Sequence, residues 1–185
     1  MTTHAVGDGI AFTETARGLG LEGVMAKRMG STYRSGRRSL GWRKIKLMNA
    51  QACVIVGWTP GKGGREGSFG ALLVGAIDDT GQMRWVGQVG SGFTERMLDT
   101  LMHDLSPTVR TDPPIDDPQL AAVKGATFVD PSLVCEVRYL ELTKSTGKMR
   151  APSFRGMRPD LTPEDCVLEP SAGSRRVART ESKRR

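Results

Sequence analysis

Between residues 51 and 90 the chain passes through three apolar stretches separated by glycine-bearing turns: ACVIVGW, FGALLVGAI and MRWVGQVG. Runs of this length, rich in β-branched and aromatic residues and bounded by glycine, predict strands. Asp79, Thr80 and Gly81 supply a hairpin turn between the second and third. Residues 133–142, LVCEVRYLEL, alternate apolar and polar positions and predict a further strand with one wet face. Thr94 is placed to cap a helix over ERMLDTLMHDL, which Pro107 ends, and Pro113, Pro114 and Pro118 predict an extended loop. Upstream, IAFTETAR predicts a short helix stopped at Gly18, and LEGVMAKR and GWRKIKL predict two strands. In the second of these the alternation places Trp42, Lys44 and Lys46 on one face.

Short strands around a single central helix predict a mainly β protein with few helices. The expected architecture is a five-stranded Greek-key barrel of the oligonucleotide-binding type, the OB-fold, preceded by a separate short segment. A different five-stranded barrel or a sandwich fits the same periodicity. The three cysteines, Cys53, Cys135 and Cys166, are odd in number and far apart, which argues against a disulfide framework and a zinc site. No apolar stretch reaches the roughly 18 residues that cross a membrane, and the first residues lack a signal-peptide profile, so the expected location is cytoplasmic with no membrane partner. GKGGREGS, residues 61–68, lacks the Gly-Lys-Ser/Thr ending of a phosphate-binding P-loop and reads as a basic hairpin loop. His4 and His103 are isolated, and no nucleophile, base and orienting acid can be grouped.

The net charge of +7 is unevenly spread, and that changes the picture. Residues 27–46 hold eight bases and no acid, and residues 171–185 hold six bases against Glu181 alone, whereas the stretch between is slightly acidic. Two positive segments call for a polyanion. The first interleaves its bases with Tyr33 and Trp42, as surfaces that face phosphates and bases do, and a single acid, Glu22, stands at its head. A lone carboxylate beside a basic run is suited to a metal ion that arrives with a phosphate.

Four elements then fall in a familiar order. They are Glu22-Gly23-Val24-x-Ala26-Lys27-Arg28, the loop Tyr33-Arg34-x-Gly36-Arg37-Arg38-Ser39, Trp42-x-Lys44-x-Lys46, and Arg150-Ala151-Pro152-Ser153-Phe154-x-Gly156-x-Arg158-Pro159-Asp160. Together they resemble the ATP-dependent DNA ligases of the covalent nucleotidyltransferase superfamily, especially the bacterial ligases of end-joining systems, over roughly residues 18–168.

The resemblance implies three segments. Residues 1–48 correspond to the C-terminal remnant of the nucleotidyltransferase (adenylation) domain, 49–169 to the OB-fold domain, and 170–185 to a disordered basic tail. It implies a catalytic set of Glu22, Lys44 and Lys46, with Glu22 as metal ligand. It implies ATP contacts at Lys27, Lys44, Lys46, Arg150, Arg158 and Asp160, and DNA contacts at Arg34, Arg37 and Arg38. ATP and Mg²⁺ are the implied cofactors, and nicked duplex DNA is the implied substrate, in a bacterial, nucleoid-associated setting. The reaction implied is nick sealing through enzyme-AMP and DNA-adenylate.

Two departures qualify it. Leu161 stands where the family usually has lysine, which bears on the efficiency of the first step. The family's nucleophile is the lysine of a Lys-x-Asp-Gly element far upstream, whereas this chain has only Val6-Gly7-Asp8-Gly9, with valine at the nucleophile's place. The chain is therefore expected to be inactive alone and to need a separate N-terminal ligase portion. A truncated product, one half of a split enzyme and a cut fragment all fit. The alternative from another class is a non-catalytic OB-fold module that grips the phosphate backbone, and a third is an RNA ligase or capping enzyme of the same superfamily.

Overall fold

In the computed structural model, residues 4–19, 21–37 and 39–168 are described. Arg38 and the basic tail lie outside them. The chain divides into two compact units, one formed by residues up to Met48 and the other beginning at Asn49.

The first unit holds helix α1 (Gly9–Gly18) and an antiparallel ribbon of β1 (Gly23–Lys27) and β2 (Trp42–Lys46). Asp8 caps α1 by accepting a hydrogen bond from the Ala11 amide at 3.0 Å. The lone Asp-Gly pair near the start of the chain is thus a helix-capping device. The two strands follow the expected stretches, and the turn-rich segment between them is held at its base by the Arg28 amide, which donates to the Gly41 carbonyl at 2.7 Å.

The second unit is built around β3 (Asn49–Pro60), a strand with both faces covered. Along one edge it pairs with β4 (Phe69–Ile77). Along the other its first half pairs with β8 (Val134–Tyr139), and Gly57 and Trp58 pair with β7 (Thr127–Val129). The sheet continues through β5 (Met83–Val89) beside β4, β6 (Val109–Arg110) beside β7, and β9 (Ser153–Met157) beside β8. The Met149 amide donates to the Val86 carbonyl and the Phe154 amide to the Ser91 carbonyl, at 2.7 and 2.9 Å, so the chain around β9 returns to β5 and closes the barrel. Gly92 (φ +94°) sits at this closure, where an added Cβ would strike the Phe154 carbonyl oxygen.

Alternation along β3 sends Cys53 and Ile55 into one core and Val54 and Val56 into another. That is why ACVIVGW reads as an unbroken apolar run rather than an alternating one. The first core is filled by Phe69, Leu72 and Val74 of β4, and by Leu98, Leu101 and Leu105 of helix α2 (Glu95–Leu105), which stand three to four residues apart on one helix face. Thr94 caps α2 by accepting from the Met97 amide. Phe93 lies edge-on to Phe69 at 5.0 Å and is stacked on Phe154 at 4.7 Å, fixing the start of α2 against β9.

The extended loop expected around Pro113, Pro114 and Pro118 contains a short helix, α3 (Pro118–Ala121). Asp117 accepts from the amides of Gln119 and Leu120, and Pro118 occupies the first helical position, where its missing N–H costs nothing. Leu120 then packs into the second core, as does the partly buried Leu161. Lys148 fastens the segment leading to Arg150. Its ammonium lies 3.8 Å over the Trp85 ring and donates to the Trp85 carbonyl at 2.6 Å and to Asp117 at 3.2 Å. No described helix is long and apolar enough to cross a membrane.

Candidate phosphate-binding ribbon and its companion arginines

The register of the ribbon decides what its lysines can do. Gly23 faces Lys46, Met25 faces Lys44 and Lys27 faces Trp42, and directly opposed residues of an antiparallel pair share a face. Lys27, Lys44, Lys46 and Trp42 therefore stand on one side of the ribbon. Gly23 is the residue that allows the strands to approach here, because an added Cβ would strike the Ile45 carbonyl oxygen. This gives the Glu-Gly pair a physical reason: the acid must be followed by a residue with no side chain for β1 to seat against β2.

Glu22 lies just before β1, and its backbone carbonyl accepts from the Leu47 amide at 2.9 Å, which continues the ladder. Its carboxylate receives a hydrogen bond from the Lys44 ammonium, also at 2.9 Å, and both side chains are about half exposed. The Lys27 ammonium sits 4.1 Å from the centroid of the Trp42 ring. The indole N–H of Trp42 donates to Ser31 Oγ at 3.0 Å, and Tyr33 leans on the same ring at 5.3 Å. Arg34 and Arg37 are exposed on the loop between the strands, joined by a turn in which the Arg37 amide donates to the Arg34 carbonyl.

In the second unit, Arg158 at the end of β9 forms a two-pronged pair with Asp160, Nε to Oδ1 at 2.8 Å and Nη2 to Oδ2 at 2.7 Å, and its third nitrogen reaches Glu136 at 3.4 Å. The hydrogen bond from Arg158 holds the Asp160 carboxyl below the usual carboxylate range, and the same contact pushes the Arg158 guanidinium further up. The pair thus stays charged at pH values where an ordinary aspartate takes up its proton. Arg150 pairs instead with Glu141 at 2.8 Å.

The structure therefore gathers Glu22, Lys27, Lys44 and Lys46 on one ribbon and joins Arg158 to Asp160. Ser31, Glu136 and Glu141 complete these contacts and were not singled out from the sequence. Glu136 and Glu141 each had a signal, as polar positions of the alternating stretch 133–142, whereas Ser31 had none. No group of three or more His, Cys, Asp or Glu residues that could hold a metal occurs among the described residues. The carboxylate at 22 fits a magnesium ion bound by one acid and completed by phosphate oxygens, rather than one held in an all-protein cage.

Residues 65–161 match the family model of the ATP-dependent DNA ligase C-terminal region, and the chain belongs to that family. Among curated relatives, the multifunctional non-homologous end joining protein LigD of Mycolicibacterium smegmatis is 46% identical over 164 residues, covering 88% of this chain. The chain spans about a fifth of that relative's length, 21%. The crystal structure of the ligase domain of M. tuberculosis LigD superposes with a TM-score of 0.61 at 42% identity, over 88% of this chain and 52% of the other. A mycobacterial DNA ligase D in complex with ATP and MES gives 0.58 at 41%, over the same shares of the two chains. The second unit is the OB-fold of this ligase family, in a mostly β chain with three α-helices among the described residues.

Proposed function

We propose that this chain supplies the C-terminal part of an ATP-dependent DNA ligase of the bacterial end-joining type, which seals nicks in duplex DNA for repair through enzyme-AMP and DNA-adenylate. The observation that carries this reading is the single ribbon face on which Lys27, Lys44 and Lys46 stand with Glu22 bound to Lys44. Residues 1–48 act as the end of the nucleotidyltransferase domain on this reading. The nucleophilic lysine belongs, on this reading, to an N-terminal ligase portion that lies outside these 185 residues.

The chemistry asks for what this face offers. When a lysine attacks the α-phosphorus of ATP and pyrophosphate leaves, negative charge accumulates on the equatorial oxygens. Two ammonium groups carried on alternate strand positions of one face are placed to meet that charge side by side. Magnesium, held by Glu22, would neutralise phosphate charge further. AMP then passes to the 5′-phosphate at the nick, and attack by the 3′-hydroxyl releases it. Arg34, Arg37 and Arg38 of the loop hold the duplex backbone through charge.

Arg158 serves the β and γ phosphates of ATP, as a planar donor able to meet two oxygens at once, and Arg150 adds a second guanidinium. Asp160 is itself anionic and repels phosphate, so its contribution to the ATP site is to aim the Arg158 fork. Leu161 packs into the second core, which gives that position a structural use in this chain.

The test is complementation. Incubated alone with labelled ATP and Mg²⁺, the chain is expected to take up no covalent adenylate. Mixed with a nucleotidyltransferase portion bearing the Lys-x-Asp-Gly lysine, it is expected to restore sealing of a 5′-phosphorylated nick. If sealing never returns, and nicked duplex is bound no better than intact duplex, the non-catalytic binding module is the correct account.

A further inference from the structure

We propose that Trp42 is a positioning residue that holds the Lys27 ammonium ready for phosphate. The inference rests on the reading of the ribbon face as a nucleotide-phosphate site and adds to it a residue with no charge of its own.

Three ammonium groups on one short ribbon repel one another, since residues two apart on a strand stand only about 7 Å apart. Lys44 is steadied by the Glu22 carboxylate. Lys27 is held differently, over the face of an aromatic ring 4.1 Å away. The distinction matters chemically. A carboxylate partner neutralises an ammonium and occupies its N–H donors, so an arriving phosphate must compete with it. A ring face attracts the cation through its quadrupole yet leaves the charge and the donors available. It also limits a four-carbon side chain that would otherwise sample many rotamers.

The ring is itself fixed from three sides. Cross-strand pairing puts Trp42 opposite Lys27. The indole N–H is anchored on Ser31 Oγ, and that hydroxyl donates in turn to the Arg28 carbonyl at 2.6 Å. Tyr33 braces the ring at 5.3 Å. Ser31 and Tyr33 belong to the loop that carries Arg34 and Arg37, so the indole joins the DNA-contacting loop to the phosphate-facing lysine.

The experiment uses the full 185-residue chain, with inorganic tripolyphosphate as probe at low ionic strength and lysine side chains followed by NMR. In the wild-type chain the ε-methylene of Lys27 is expected upfield, shifted by the Trp42 ring current, and tripolyphosphate is expected to move the signals of Lys27, Lys44 and Lys46 together. Trp42→Leu is expected to abolish the upfield shift and weaken tripolyphosphate binding roughly two- to fivefold, the range of an exposed cation–π contact. Trp42→Phe is expected to keep part of both. In a Lys27→Met background, Trp42→Leu is expected to cost little more, because the two residues act as one unit.

If Trp42→Leu weakens binding as much without Lys27 as with it, the tryptophan acts on the ribbon as a whole and the inference is overturned. It is also overturned if Lys44 and Lys46 respond to tripolyphosphate while Lys27 does not, an outcome that leaves the phosphate site standing. If none of the three lysines responds, the phosphate site itself fails and the inference goes with it.

Discussion

Replacing Lys44 or Lys46 by alanine is expected to slow adenylate transfer in a complemented enzyme by roughly 10²- to 10³-fold, the usual cost of removing one preorganised charge from a developing oxyanion. Global stability is expected to change little. Lys44 is half exposed, and its pair with Glu22 is a surface ion pair worth about 0 to 1 kcal/mol. Lys46 is exposed at the end of β2. Arginine is expected to rescue poorly at either position, because a planar guanidinium cannot occupy the compact volume of an ammonium at the same place on the strand. The measurement is a single-turnover rate of AMP transfer, read beside a thermal melt. Turnover within a few fold of wild type in both variants would remove these lysines from the phosphate contacts.

The largest stability effect is expected from Phe69→Ala, about 3 to 5 kcal/mol. Phe69 is fully buried, touches the first core and meets Phe93 edge-on. Phe93 also stacks on Phe154, whose amide closes the barrel onto Ser91, so the cavity opens at the junction of β4, α2 and β9. A urea titration should show the midpoint falling with the slope unchanged, since the surface exposed on unfolding is nearly the same. A loss below about 1 kcal/mol would mean that the neighbouring rings collapse into the space.

Local signals explain how far the sequence could be read. The helix α2 has a capping threonine, apolar positions three and four residues apart and a proline just beyond its end, and the structure begins and ends it where those signals place it. The strand β4 coincides with its apolar run. By contrast, β6, β7 and β9 are short, and what makes them strands is pairing with residues distant in sequence. No local pattern encodes that. The helix α3 was hidden because proline density suggests extended chain, although an aspartate before a proline is also a helix start.

The candidate site divides in the same way. That Lys44 and Lys46 share a face follows from strand period alone. That Lys27 meets Trp42, and Lys44 meets Glu22, depends on the register of β1 against β2, which is set across the intervening loop rather than by either strand. The Arg158 fork has one local partner two residues on and one distant partner, Glu136, brought beside it by β8–β9 pairing.

The three thiols give the molecule a clock of its own. Cys53 and Cys135 face each other across β3 and β8, Cys166 is also enclosed, and burial pushes all three up, Cys166 to about 11. Only a thiolate alkylates readily, so a bulky maleimide must wait for the barrel to open. Since residues 1–48 contain no cysteine, the rate of modification times the opening of the second unit, where all three thiols lie, and not that of the ribbon.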